Sequence, residues 1–145
     1  MTSASALKET QIAVRTRLAN DATLMNIRGI TGIFDEAPSD QPYPYISLGT
    51  KVEIPWINKT FGREEKQVTL VLDAWTDLNS GDVHLDILDD INRLFNDPVD
   101  TNGNPWPLPL SSYTNTQCIV EWSTTMIDES DQCRHTIARL FVTNT

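Results

Sequence analysis

The residues in this chain that could do chemistry are few, and they fall into three short runs. Asp82-x-His84-x-Asp86 has the donor types of a divalent-cation site. On a helix, residues two apart point about 200° away from each other, so these three cannot converge on one ion. Asp86 and Asp90, four apart, do share a helix face and could hold a cation loosely. A solvated acidic face is the expected reading. Cys133 and His135 lie two apart on an expected strand, with Asp131 in the adjoining turn. A thiol, an imidazole and a carboxylate suit nucleophile and base, but such groups usually meet across a fold and need a cleft with oxyanion donors. An ordinary strand of mixed polar residues is expected instead. Residues 97–109 carry Asp100, Asn102 and Gly103 in the manner of a calcium loop. With that glycine at position six, Pro98 and Pro109 occupy the first and last positions, where carboxylates are required. There is no glycine-rich phosphate loop, no Gly-x-Ser-x-Gly elbow, no His-Glu-x-x-His and no Cys-x-x-Cys. The expectation is a protein without enzymatic activity, metal or cofactor.

Four tryptophans remain, at positions 56, 75, 106 and 122. Trp75 and Trp122 sit on expected strands and read as core. Trp56 and Trp106 sit in proline-bearing loops, where an exposed aromatic side chain anchors a partner protein. With Ile57 and Phe61 they are the candidate subunit or partner interface.

The elements that position these residues follow from periodicity and punctuation. Residues 6–19 read as a helix with Leu7, Val14 and Leu18 on one side and Ser3 or Ser5 as its cap. Asp21 caps a second short turn over residues 22–27, and Gly29 and Gly32 release the chain. Pro38, Pro42 and Pro44 each fix their own φ and hold the preceding residue extended. The run from Ile33 to Gly49 is therefore a strand, a kinked crossing and a second strand, the latter reaching about residue 54. Residues 55–62 form a loop with Pro55, Trp56, Ile57, Phe61 and Gly62. Residues 64–77 resume as a long strand in which Val68, Leu70, Leu72 and Ala74 alternate with Thr69, Val71, Asp73 and Trp75. Ser80 caps an acidic helix over residues 82–96 with Ile87, Leu88, Ile91, Leu94 and Phe95 on its apolar side. Residues 100–110 are a loop, and strands over 113–127 and 134–142 close the chain as a hairpin. Cys118 and Cys133 fall far out of register in that hairpin and are expected as free thiols.

One domain, 1–145, is expected, burying about two-thirds of its unfolded surface. Each helix has a single apolar side and needs one partner layer. The expected fold is α+β, a mostly antiparallel sheet of four to five strands with two main helices on one face and a long projecting hairpin.

The net charge is −9 and unevenly placed: between Asp73 and Asp100 stand eight aspartates against Arg93 alone. Such a surface repels phosphate, so the single chain is a poor candidate for gripping nucleic acid. The first thirty residues carry Lys8, Arg15, Arg17 and Arg28 against Glu9 and Asp21. That asymmetry suits head-to-tail contact between copies. No apolar run approaches the ~18–20 residues needed to span a bilayer, and no signal-peptide core follows Met1. A soluble protein made in a cytoplasm, with no membrane partner, is expected.

The order of these elements, with Leu18-Ala19-Asn20-Asp21-Ala22-Thr23-Leu24, the run from Ile33 to Pro38, Pro44-Tyr45-Ile46-Ser47-Leu48-Gly49, and Val71-Leu72-Asp73-Ala74-Trp75 before the acidic helix, resembles the small tail-completion proteins of long-tailed bacteriophages. These are also called tail-terminator or head-to-tail joining proteins. The resemblance extends from Leu7 to Val142. It implies a virion structural protein forming a ring, commonly hexameric, at the head–tail junction. Such a ring terminates the tail tube, meets the head connector or adaptor proteins and leaves a channel through which DNA passes as transient cargo. Asp82, Asp86, Asp89 and Asp90 are candidates to face that channel, whose negative charge would let DNA slide. The implied location is the virion tail, with assembly in the host cytoplasm. A minor head-to-tail adaptor or tail-tube subunit is the alternative, and a small cytosolic enzyme using Cys133 and His135 a third reading.

Overall fold

The computed structural model describes residues 6–58, 63–96, 108–110, 115–129 and 132–144, with backbone only at 55–58, 63–65 and 115–117. Two helices, α1 (Ala6–Ala19) and α2 (Val83–Phe95), and five strands, β1 (Ile33–Phe34), β2 (Tyr45–Asn58), β3 (Arg63–Asp77), β4 (Asn115–Asp128) and β5 (Cys133–Asn144), follow in the order α1, β1, β2, β3, α2, β4, β5. The strands form one sheet in the order β1-β2-β3-β5-β4. Every pairing is antiparallel except that of the two-residue β1, which runs parallel to β2. The α+β expectation holds, with both helices against the sheet.

The period-two alternation of β3 decides which face they cover. Val68, Leu70, Leu72, Ala74 and Thr76 are fully buried, as are their neighbours Ile46 and Leu48 on β2 and Ala138, Leu140 and Val142 on β5. From above, α1 contributes Ala13, Val14 and Leu18, and α2 contributes Ile87, Ile91 and Phe95. Fully burying a side chain of this size stabilises by about 1.5–3 kcal/mol, so this layer is the main source of fold stability. Deep within it, Asn144 donates from Nδ2 to Thr10 Oγ1 at 3.1 Å, which satisfies two buried polar groups together.

Three local devices differ from the sequence reading or extend it. The cap residues expected for α1, Ser3 and Ser5, lie outside the described residues. The described acceptor there is Glu53 Oε1 on β2, which takes the N–H of Ala6 at 2.6 Å and of Leu7 at 3.2 Å. A carboxylate there satisfies orphan donors and complements the positive end of the helix dipole. At α2 the N-cap is Asp82, not Ser80, and its side chain makes no capping bond. Ser80 Oγ turns back to the carbonyl of Asp77 at 2.6 Å, because Gly81, at φ +70°, breaks the path one residue later. Asp21 does cap as expected, its Oδ2 accepting from Leu24 N at 3.0 Å. The turn it starts, Thr23–Ile27, is π-helical, with Arg28 N bonded to Thr23 O at 3.1 Å.

β2 also runs further than expected. Pro55 does not end it: pairing continues through Pro55↔Lys66 and Trp56↔Glu65 to Asn58↔Arg63. Beyond Ser47 the described β2 has a strand on one side only, so a missing N–H need not break a ladder bond. The first four residues of the expected eight-residue loop are thus strand, and 59–62 lie outside the described residues.

Candidate functional site: the uncovered sheet face and its edges

The side chains that alternate with the core define the opposite face of the sheet, and no described helix covers it. Cross-strand partners share a face. Val52 and Ile54 on β2 pair with Thr69 and Gln67, and Trp122, Thr124 and Met126 on β4 pair with Arg139, Ile137 and His135. Val52 is 44% exposed, Ile54 54%, Trp122 48% and Met126 48%. Val71, Trp75, Ile137 and Phe141 lie between them, half-buried by neighbours on the same face.

An aromatic row crosses one end of this face. Tyr43 stacks on Tyr45 at 5.8 Å, Tyr45 on Trp75 at 6.3 Å and Trp75 on His135 at 3.8 Å, while Phe34 meets Tyr45 edge-on. His135 Nε2–H donates to Asp73 Oδ1 at 2.7 Å, and Trp75 Nε1–H donates to Ser47 Oγ at 3.2 Å. The row needs space at the β2 irregularity between Leu48 and Lys51: a Cβ on Gly49 would overlap the Asp73 carboxylate. Across the β4–β5 pair, Arg139 Nε of β5 donates to Glu121 Oε1 of β4 at 2.8 Å while its guanidinium lies 5.7 Å from the Trp122 ring centre.

These positions correct the expectation that Trp75 and Trp122 are core residues. Both are on the open face, because the described helices occupy the other one. The signal was present in the strands themselves: Val71 and Trp75 alternate with the core residues of β3, and Ile137 and Phe141 do so on β5. His135 is held by Asp73 and stacked on Trp75, and Asp131 lies outside the described residues. Among the described residues no group of His, Cys, Asp and Glu is arranged to hold a metal. Cys118 and Cys133 are both buried free thiols. Burial pushes Cys118 up to about 12, against the opposing pull of nearby Arg17.

Of the interface candidates, Phe61 and Trp106 lie outside the described residues. Trp56 and Ile57 are placed by their backbones, beyond the last β3–β5 pair, Lys66↔Asn144. The acidic candidates divide. Asp82 and Asp89 are exposed and Asp86 is half-exposed, but Asp90 is only 4% exposed. Asp90 Oδ2 accepts from Arg28 Nε at 2.8 Å and Oδ1 lies 3.5 Å from Arg93 Nη2; Arg28 also stands 3.8 Å from Asp86. The cation that the Asp86–Asp90 pair holds is therefore an arginine of the same chain. Arg93 in turn binds Asp21 Oδ2 at 2.6 Å. Burial alone would push the Asp21 carboxyl up, but Arg93 and the Leu24 N–H outweigh it and hold it below its ordinary value. Much of the apparent charge asymmetry is thus spent inside the molecule, joining the Asp21–Arg28 turn to α2.

His84, expected on an acidic surface, is 4% exposed. Its Nε2 lies 3.3 Å from Arg134 Nη1 and its Nδ1 3.1 Å from Gly81 O. Arginine can only donate, so Nε2 is the acceptor and Nδ1–H donates to the carbonyl. The ring ties the start of α2 to β5.

An open apolar sheet face, with no catalytic grouping beside it among the described residues, suits contact between proteins. Comparison with known families agrees. The profile of the tail completion protein gp17 family matches residues 12–92, more than half of the chain. The chain belongs to this family. No curated protein sequence matches it significantly. Solved structures share its fold, two of them as follows. A chain from the virion of a native gene transfer agent particle superposes with a TM-score of 0.76 at 19% identity, over 99% of this chain and 98% of that one. The gp17 protein of bacteriophage SPP1 superposes with a TM-score of 0.59 at 18% identity, over 95% and 90%. By its family this tail-completion chain is a virion structural protein, in a family of tail proteins and not of enzymes. None of its described helices is long and apolar enough to cross a membrane.

Proposed function

We propose that this chain assembles into a hexameric ring at the head–tail junction, where it terminates the tail tube, joins it to the head connector and leaves a channel for DNA. The observation that carries the reading is the uncovered sheet face: Val52, Ile54, Trp122 and Met126 are exposed on one face that no described helix or strand covers. An apolar surface of this kind marks a protein interface. A contact between different patches on identical copies closes a ring when its rotation divides the circle. The end of the β2–β3 hairpin, with Trp56, Ile57 and Phe61, reaches the adjacent copy, and Trp106 contacts a neighbour, either a copy of the chain, the tail-tube protein or a connector protein. Asp82, Asp86 and Asp89 face the lumen. Asp90 is excluded from that role by its burial against Arg28. The chain performs no catalysis and needs no cofactor. It folds in the host cytoplasm before joining the virion.

Light scattering of the purified full chain tests the ring. The expected mass is a sixfold multiple of the 16.3 kDa chain, and a single-chain mass at working concentration overturns it. Trp56→Ala should weaken assembly or head joining without unfolding the chain. Unchanged assembly and joining would remove Trp56 from the interface.

A further inference from the structure

The two ends of the sheet are unequally finished. At one end β4 is an edge strand, and its outer side is closed at Val120, whose N–H donates to Asn96 Oδ1 at 2.8 Å. Past the irregularity between Val120 and Trp122, residues 122–127 continue along β5, with no further described strand beside them. Trp122, Ser123, Thr125, Met126 and Ile127 are all exposed. This run has no proline and no lysine, and it is rich in β-branched and aromatic side chains. Natural edge strands are normally blunted by such residues or covered, because a bare edge recruits another strand. At the other end, β1 covers β2 only as far as Ser47. The outer side of β2 then has no described strand beside it up to Pro55, which lacks a donor and bounds the stretch.

We infer that copies of this chain are joined by main-chain pairing, the β4 edge at residues 122–127 of one copy lying against the β2 edge at residues 50–54 of the next. One continuous sheet then runs around the ring. The inference rests on the ring reading above and adds the seam that closes it. Three features favour a second copy as the occupant. The two bare stretches are of similar length and lie at opposite ends of one sheet, so a single rotation brings one against the other in every subunit. Both are flanked on the open face by exposed apolar residues, Trp122 and Met126 on one side and Val52 and Ile54 on the other, which the seam would bury together. Their charges also match. With Glu121 held by Arg139 of its own chain, residues 122–129 still carry Asp128 and Glu129 and no basic residue, whereas the β2 stretch offers Lys51 and turns its Glu53 carboxylate to the start of α1.

Cysteine pairs read the seam directly. Val52→Cys is combined in turn with Trp122→Cys, Thr124→Cys or Met126→Cys, positions two apart on the open face that together sample the register. Directly opposed residues on paired strands hold their Cβ atoms about 4.5–5.5 Å apart, close to disulfide reach. The native Cys118 and Cys133 are buried. On oxidation of the full chain, at least one pair should give a ladder of linked copies ending at the ring. Val52→Cys with Ile12→Cys, an exposed helix position, should not. Amide exchange over residues 122–127 should also slow at least tenfold between dilute single chains and the assembly. A ring of full mass with no linked pair and unprotected edge amides overturns the seam and leaves the ring reading standing. A chain that stays at 16.3 kDa overturns both. Cross-links to another virion protein, with none between copies, overturn the choice of occupant.

Discussion

Asp90 shows how a single carboxylate can be read correctly in pattern and wrongly in role. Its spacing from Asp86 implies a shared helix face that could hold a cation, and that is what the structure contains. The cation, Arg28, lies 62 residues away in the chain, a separation that no local pattern reports. Replacing Asp90 with Ala leaves Arg28 and Arg93 without their buried acceptor. Breaking a buried pair costs about 3–5 kcal/mol, and because both arginines keep some contact with water the expected loss is about 2–4 kcal/mol, read from urea unfolding. Asp21 makes a prediction in pH. An unfolded aspartate titrates near ~3.9, and Asp21 is held lower in the folded chain. Its contribution is therefore complete above about pH 4 and is lost as pH falls through the folded value. The stability difference between the wild type and Asp21→Asn should shrink on acidification, measured as urea midpoints at about pH 6 and about pH 3. Cys118, pushed up to about 12, should resist alkylation at neutral pH until the chain unfolds.

At the scale of elements, order and approximate bounds follow from periodicity, because core-facing residues must recur at 3.6 or 2.0. α2 was legible for that reason: Ile87, Ile91 and Phe95 are its buried stripe. Strand ends were less so. Pro55 looks like a terminator, but its effect depends on whether a strand lies on the side that loses the donor, which only the sheet order reveals. The start of α1 was hidden in the same way, since Glu53 is supplied from a strand 47 residues on. Glu53→Ala should therefore destabilise α1 by about 0.5–2 kcal/mol, the usual worth of a cap. Loss of helical circular dichroism on mild heating, before the sheet melts, would register it. Phe95→Ala, by contrast, opens the floor of α2 and should cost about 3–5 kcal/mol in a single cooperative transition.

For the whole molecule, one-sided helix packing was foreseeable from the single apolar side of each helix. Its corollary, an open second face, was obscured because large aromatic residues on strands are ordinarily assigned to cores. Trp122 separates the two roles. Trp122→Ala should change single-chain stability by no more than about 1 kcal/mol, since the ring is half-exposed, yet lower the assembled fraction. Equal mass profiles for variant and wild type would contradict this. Lysines at Asp86 and Asp89 should slow genome passage if these carboxylates line the channel, and normal infectivity would place them elsewhere. The Glu53 contact has a mechanical implication. β2 carries the carboxylate that opens the first helix, so a load pulling β2 away from α1 at Glu53 would be felt as unwinding of the first turn of α1. β2 and α1 are geared together through this one carboxylate.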